Sequence, residues 1–155
     1  MLSAVSAICA QNIGAGKSDR ARKTLGFAIC IAACFGIVIS MLTQIFSMQI
    51  VSIFEDDKNV AVLGSQYLRS YVCDCVLAGI HFCFSGHFCA LEKSGISFLH
   101  NVLSIILVRI PAAYIASYMF PNNLYPMGLA APLGSLLSVI ICVLAYLVLK
   151  SKKKL

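Results

Sequence analysis

Long apolar stretches, separated by short charged segments, dominate the pattern of positions along the chain. No Asp, Glu, Lys or Arg occurs within residues 24–54, 75–91, 94–108 or 110–149. An apolar stretch of about 18 residues or more is long enough to cross the ~30 Å hydrocarbon layer of a membrane as a helix. The pattern predicts four complete membrane-spanning helices, at about 25–53, 65–91, 96–120 and 125–149.

The two ends of the chain fall outside these spans. Residues 1–14 are apolar but too short to cross a membrane alone, and no basic segment precedes them as in a signal peptide. We interpret them as the end of a helix whose beginning is absent. This predicts that the chain is a fragment of a larger membrane protein. Residues 150–155 form a basic tail.

Composition supports this fold class. Of the 155 residues, 60% are hydrophobic and 12% are charged, whereas a soluble domain contains roughly 25% charged residues. In lipid, helices and closed barrels are the structures that satisfy their own backbone, and no segment alternates with the period of a barrel strand. We therefore predict an all-α, polytopic helical membrane protein in a lipid bilayer, and no enzyme.

Lysine and arginine mark the loops expected on the cytoplasmic side. Basic residues recur on alternate sides of the four predicted spans, as the positive-inside rule requires. The cytoplasmic anchor in the first loop consists of Lys17, Arg20, Arg22 and Lys23. We predict a multi-pass protein of the plasma membrane with a cytoplasmic C-terminus. The net charge of +6 then reflects topology and attraction to anionic lipids, with no nucleic-acid partner.

The first loop also contains the letters of a phosphate-binding loop, which ends in G-K-[ST]. Gly16, Lys17 and Ser18 supply that ending, but Gln11 stands where the motif requires its first glycine. The pattern of the preceding residues is not that of a strand, which the motif also needs. Nucleotide binding is therefore not predicted.

The eight cysteines favour neither disulfides nor a metal site. Most lie inside predicted spans, where cysteine acts as a small apolar residue. On a helix Cys73 and Cys75 point about 160° apart. Cys83 and His87 could offer two ligands, but a closed structural zinc site needs four. We predict no bound metal and no other cofactor.

Four polar residues of the second span form the main candidate site, because polar side chains are costly in a membrane. Ser70, Asp74, His81 and Ser85 are spaced 4, 7 and 4 apart, which places them in one stripe along a helix. An Asp and a His that face a cavity could exchange protons, or the Asp could hold a cation. The alternative is that Asp74 makes an interhelical contact and that His81 is a packing residue.

Arg109 and Pro111 stand out in the third span. The Arg109 guanidinium must pair, reach the interface or face water. Because Asp74 and Arg109 lie at comparable depth, we predict that they pair. Pro111 removes one helical hydrogen bond and is predicted to kink the span.

Two further spans carry stripes of polar residues at helical spacing. Such stripes usually mediate contacts between helices and less often line a water-filled path. Together with the first stripe they favour a shared central cavity. They consist of Ser40, Thr43, Gln44 and Ser47 in the first span and Ser97, His100, Asn101 and Ser104 in the third.

A series of segments resembles the C-terminal part of a multidrug and toxic compound extrusion (MATE) family transporter. The segments are AQNIGAGKSDRARK, YLR, ALEKSG, RIPAAYIA and GLAAPLGSLLSVI. The resemblance covers essentially the whole chain. It implies a partial C-terminal lobe, from late in the eighth span to the end of the twelfth, that lacks the N-terminal lobe.

The resemblance implies multidrug efflux: amphipathic or cationic small molecules, including xenobiotics, leave the cell in antiport with protons or sodium. Related members place an acid in the tenth span where this sequence has His81. One lobe alone is expected to be inactive unless the missing N-terminal lobe or a second copy completes it. The alternatives are a lipid-linked oligosaccharide flippase of the same wider superfamily and a membrane assembly subunit without transport activity.

Overall fold

The structure, a computed structural model, describes residues 1–151 as a bundle of helices, without a strand in that range. Residues 152–155 of the predicted tail lie outside the described residues. The helices are α1 (Leu2–Gly14), α2 (Ser18–Val51), α3 (Lys58–Tyr71), α4 (Asp74–Ala90), α5 (Ser94–Ser104), a π-helical turn (Ile105–Arg109), α6 (Ile110–Met119), α7 (Tyr125–Gly128) and α8 (Ala130–Ser151).

Three helical segments are long and apolar enough to cross a membrane: Ser18–Val51, Ser94–Met119 and Tyr125–Ser151. Helices α3 and α4, which are bent by 42° at their junction, would form a fourth span together. The all-α, multi-pass fold class is confirmed. Large apolar side chains remain exposed around the bundle, including Phe27 and Phe35 on α2, and such a surface suits contact with lipid.

The helices extend beyond the apolar stretches that predict them. Helix α2 begins at Ser18, seven residues before the predicted span, because the basic residues near its start continue the helix. Helix α3 begins at Lys58, directly after Asp57, whose Oδ1 accepts the N–H of Asn59 at 2.8 Å as an N-cap. Hydrophobicity marks the part of a helix that lies in lipid, and polar caps determine where the helix ends.

The predicted span 65–91 is not one straight helix, because α3 ends at Tyr71 and α4 starts at Asp74. Side chains of α2 supply hydrogen bonds at this break. Ser40 Oγ donates to the carbonyl oxygen of Val72 at 3.1 Å, and Gln44 Nε2 donates to that of Arg69 at 2.7 Å. A broken helix is tolerated at membrane depth where neighbouring side chains bind its backbone in this way.

Close helix contacts hold α4 at the centre of the bundle. A methyl group at Gly36 of α2 would approach the backbone of Val76 to 3.0 Å, and one at Gly86 would lie 2.6 Å from the carbonyl oxygen of Leu2. Small residues permit such approaches between membrane helices. Helices α1 and α2 therefore pack on one face of α4.

One apolar cluster joins the helix ends at the side of the bundle that carries the first loop. It contains residues from the end of α1, the start of α2, the end of α4 and the end of α8, such as Ile13, Ala21, Ala90 and Leu149. The basic loop 15–17 and the C-terminal end of α8 thus lie at the same end of the molecule. This arrangement matches the alternation of basic segments along the sequence.

Candidate functional site

The site begins at the break between α3 and α4, where Asp74 is the first residue of α4. Asp74 is only 6% exposed. Its Oδ2 lies 3.5 Å from Nη2 of Arg109, the last residue of the π-helical turn. The structure therefore brings together the two residues whose pairing the sequence predicts.

Helix α8 completes this ion pair. Nη2 of Arg109 also donates to Ser135 Oγ at 2.7 Å, and the Arg109 side chain packs against Gly134. Because a side chain at Gly134 would occupy the same space, this glycine allows the guanidinium to lie between α4 and α8. Ser135 and Gly134 were not predicted as site residues, although Ser135 and Ser138 are small polar residues at helical spacing that could have indicated them.

The pair carries opposite charges, but it is not fully satisfied. Within residues 1–151, Asp74 Oδ1 and Arg109 Nε are buried without a hydrogen-bond partner. Buried polar atoms normally form hydrogen bonds, and a buried polar atom without a hydrogen bond costs free energy. The carboxylate thus retains an oxygen that accepts no hydrogen bond from the described residues.

Two histidines, His81 of α4 and His100 of α5, form a second polar group near the ion pair. His81 is 2% exposed, and its ring centroid lies 5.5 Å from that of His100 in an edge-on arrangement. His100 Nε2 and Ser85 Oγ are hydrogen-bonded at 2.8 Å. Ser97 Oγ donates to the carbonyl oxygen of Ser85 at 3.1 Å, which links α5 to α4 at this level.

A pocket of about 420 Å³ extends from the ion pair to His81. Its lining includes Tyr71, Asp74, His81, Asn101 and Arg109. A second, apolar groove of about 540 Å³ adjoins it and shares the lining residues Cys75, Ala78 and Phe82. The two openings together offer a polar compartment beside an apolar one.

The four residues of the predicted stripe do not share one environment. Asp74 and His81 line the pocket, whereas Ser85 bonds to His100. Ser70 belongs to α3, donates to the carbonyl oxygen of Tyr67 at 3.0 Å and packs against Gly128 of α7. The bend between α3 and α4 separates Ser70 from the other three, which a straight-helix projection does not show.

The other two polar stripes mainly join helices. On α2, Ser47 Oγ accepts from Arg69 Nε at 2.6 Å, beside the contacts of Ser40 and Gln44 at the break. On α5, Ser104 Oγ donates to the carbonyl oxygen of Gly134 at 2.6 Å. These contacts follow the more common role of polar stripes in membrane helices.

Pro111 lies in the first turn of α6, directly after the π-helical turn. A proline has no N–H to donate, and π-helical turns are a common adjustment where a helix loses a regular hydrogen bond. The structure therefore places a local widening of the helix where a kink was predicted, and this widening ends at Arg109.

The remaining predictions concern the basic residues near the start of α2, the cysteines and a possible metal site. Arg22 Nη1 lies 3.5 Å from Asp19 Oδ1 in the first turn of α2. All eight cysteines are free thiols. Among residues 1–151, no group of three or more His, Cys, Asp or Glu side chains is arranged to hold a metal ion.

Comparison with known families identifies the family of this chain. The MatE family matches residues 1–115 of the chain. The chain belongs to the MatE family. The matched region contains Asp74, His81, His100 and Arg109, so the polar pocket is part of the MatE portion, and Ser135 lies beyond it. The resemblance predicted from the sequence segments is confirmed.

A curated relative is similar to most of the chain. The chain is 27% identical over 133 residues to a protein of Shewanella oneidensis named FAD transporter, a match that covers 86% of this chain. The chain spans 29% of the length of that relative. No solved structure matches the chain. The printed name of that relative describes a transporter and not an enzyme.

Proposed function

We propose that this chain forms part of a secondary active transporter that exports amphipathic or cationic small molecules, drugs among them, in antiport with protons or sodium. The observation that supports this function best is the pocket lined by Asp74, His81 and Arg109 between apolar helices. Ionisable residues inside a membrane protein commonly mark substrate and ion pathways.

The shape of the site suits an amphipathic ligand. The apolar groove between α2 and α4 can take a ring system, while the adjoining pocket presents the Asp74 carboxylate. At 3.5 Å the contact between Asp74 and Arg109 is long for a charge-assisted hydrogen bond. A cationic ligand could therefore compete with Arg109 for Asp74, and its release would restore the pair.

Transport also needs a second body against which this bundle can move. In secondary transporters, alternating access arises when two helical repeats rock around a central site. We propose that further helices, from an N-terminal lobe or from a second copy of the chain, complete the pocket. The chain alone is proposed to bind ligand but not to transport it.

A second candidate substrate is a flavin dinucleotide, because the relative from Shewanella oneidensis is named FAD transporter. In this case Arg109 would face a phosphate group, since guanidinium binds phosphate oxygens well. The isoalloxazine ring would occupy the apolar groove. The two candidates thus assign opposite roles to the two members of the ion pair.

Ligand binding to the purified full chain in lipid nanodiscs distinguishes them. For a cationic substrate, the probe tetraphenylphosphonium should bind to the native chain and lose about tenfold in affinity, or ~1.4 kcal/mol, in Asp74→Asn. For a dinucleotide, FAD should bind and Arg109→Gln should weaken it. Asp19→Asn, which removes an exposed carboxylate from the first turn of α2, is the matched control.

The outcome also separates transport from a purely structural role. If neither probe binds the native chain with or without co-expressed N-terminal helices, a membrane assembly subunit explains the polar contacts better. Growth of efflux-deficient cells in the presence of the cation tests transport itself. The isolated chain is expected to give no resistance, and the co-expressed halves are expected to restore it.

A further inference from the structure

An open apolar groove of about 360 Å³ runs between α1 and α2. It shares no lining residue with the polar pocket beside the ion pair. Three of its large side chains are exposed: Phe27 is 70%, Ile31 is 61% and Ile8 is 48% exposed. Because Ala4 and Ala28 line it with short side chains, the groove stays open between the larger ones.

The polar groups nearest the basic end of this groove bond within their own helices. Thr24 Oγ1 donates to the carbonyl oxygen of Arg20 at 2.9 Å, one turn earlier on α2. On α1, Asn12 Nδ2 donates to the carbonyl oxygen of Ile8 at 2.8 Å. With these donors already used, the groove suits an apolar occupant.

A basic side chain lies directly beyond one end of the groove. Four lining residues of α2 share one face of the helix, because their spacing is that of successive helical turns: Thr24, Phe27, Ala28 and Ile31. Arg20 is exposed and precedes Thr24 by one turn on that face. Within residues 1–151, Arg20 has no ion-pair partner. An anion next to an apolar chain therefore complements this surface.

We propose that the groove between α1 and α2 binds one anionic phospholipid from the leaflet that meets the basic first loop. An acyl chain of the lipid lies between the two helices, and its phosphate binds Arg20. Guanidinium groups hold phosphate oxygens through two parallel hydrogen bonds. This lipid site is separate from the substrate pocket and does not depend on the proposed transport.

The length of the surface matches one leaflet of a bilayer. Arg20 and Ile31 are 11 positions apart, which is about 16 Å along a helix. Half of the ~30 Å hydrocarbon layer is about 15 Å. A phosphate at Arg20 therefore places an acyl chain along the whole groove. At Ile31 the chain reaches the apolar groove between α2 and α4, which this residue also lines.

The headgroup should select the lipid, and the acyl chain should not. Lipid tails are as apolar as the groove, so a chain gains no hydrophobic free energy when it leaves the bilayer for the protein. One Lys or Arg near the membrane surface favours an anionic lipid roughly fivefold. Arg20 is therefore the residue that gives the site its preference.

Charge also disfavours a second copy of the chain as the occupant. The chain has a net charge of +6, and four of its basic residues lie at 17–23. A copy inserted in the same orientation would bring a second set of these residues to the same end of the groove. Like charges repel, whereas a phospholipid phosphate would offset the charge of Arg20.

Tryptophan fluorescence of the full chain in phosphatidylcholine vesicles tests this site. The chain contains no tryptophan, so Phe27→Trp creates a single reporter in the groove. Brominated phosphatidylglycerol, which is anionic, and brominated phosphatidylcholine, which is zwitterionic, serve as quenchers. We expect the anionic lipid to bind at this reporter roughly fivefold more tightly than the zwitterionic lipid.

Tyr118→Trp is the control reporter. Tyr118 of α6 is 82% exposed and lies in the charge-free stretch 110–149. The two brominated lipids should quench this reporter equally. If Phe27→Trp does not fold, Ile31→Trp places the reporter on the same face of α2.

Arg20→Gln in the Phe27→Trp background tests the phosphate contact. The anionic and the zwitterionic lipid should then bind equally. Lys150→Gln is the matched control, because it removes an exposed basic residue at the same end of the molecule from α8, which packs on α4. This variant should keep the fivefold preference.

Three results would overturn the proposal: equal binding of the two lipids at Phe27→Trp, a preference that survives Arg20→Gln, or a loss of preference in Lys150→Gln as well. Weak quenching by both lipids would mean that protein covers the groove, which also contradicts a lipid site. The vesicles contain no transported substrate. The result is therefore independent of the substrate-binding assay, and either proposal can fail without the other.

Discussion

Arg109 Nη2 lies 3.5 Å from Asp74 Oδ2, although the two residues are 35 positions apart and belong to different spans. The contact joins the start of α4 to the end of the π-helical turn. Ser135 of α8 accepts a second hydrogen bond from the same nitrogen. Three segments of the bundle thus meet at one guanidinium, and this position is the most sensitive place to test the structure.

The ion pair should show coupling in a double-mutant cycle. Asp74→Asn or Arg109→Gln alone is expected to lower the free energy of unfolding by about 1–3 kcal/mol, because each leaves a buried charge without its partner. The Arg109 side chain is 31% exposed, which favours the lower half of that range. The double variant should recover about 1 kcal/mol relative to the sum.

A matched pair at the surface provides the control for this cycle. Asp19 and Arg22 are also 3.5 Å apart, but the Asp19 side chain is 90% exposed. Exposed helical pairs contribute only about 0.3–0.5 kcal/mol. Unfolding in detergent mixtures measures both cycles. A coupling at Asp74 and Arg109 no larger than that of the surface pair would contradict the buried contact.

Gly86→Ala should destabilise the packing of α1 on α4. The added methyl group would lie 2.6 Å from the carbonyl oxygen of Leu2, so the helices would have to separate, at a cost of about 2 kcal/mol. Gly26→Ala in α2 is the control, since its added methyl group meets nothing within 4 Å. That change should stabilise α2 by about 0.5–1 kcal/mol. Equal melting temperatures for the two variants would argue against the close contact.

Glu92→Gly should stabilise the turn between α4 and α5. Glu92 has φ of 59°, a left-handed conformation that costs a residue with a side chain roughly 1–2 kcal/mol. Glycine adopts this conformation without that cost, and we expect a gain of about 0.5–1 kcal/mol in the free energy of unfolding. Glu92→Ala retains the strain and removes the same charge, so it should not produce the gain.

The basic residues at the start of α2 and in the loop before it should determine the orientation of the chain in the membrane. Replacement of Lys17, Arg20, Arg22 and Lys23 by Gln removes the local charge that holds a loop in the cytoplasm. We expect a C-terminal reporter to be cytoplasmic in the native chain and to become partly external in this variant. Replacement of Lys58 by Gln, at the start of α3, should leave the reporter in place.

The sequence carries most of the information on the spans and less on the bends. Charge-free stretches locate the membrane helices. The comparable depth of Asp74 and Arg109 in their two spans predicts that these residues pair. The break between Tyr71 and Asp74 lacks such a signal, because the intervening Val72 and Cys73 are neither glycine nor proline. Its hydrogen bonds come from α2, far away in sequence, so local patterns cannot reveal it.

The contacts around the pocket also could not be predicted from local sequence patterns. His81 and His100 each appear in a polar stripe, but their contact depends on how α4 and α5 pack. The role of Ser135 depends on α8 and on the space left by Gly134. Such contacts are set by tertiary packing, which a periodic pattern on one helix does not encode.

Because of the π-helical turn Ile105–Arg109, the direction in which the Arg109 side chain points depends on the number of residues in this helix. A π-helical turn accommodates one residue more than an α-helical turn of the same span. Deletion of one residue within it would restore a regular helix and rotate every preceding side chain relative to Arg109 by about 100°. His100 could then no longer face α4 while Arg109 reaches Asp74. A single inserted residue thus lets one helix present a cation and an imidazole to the same neighbour.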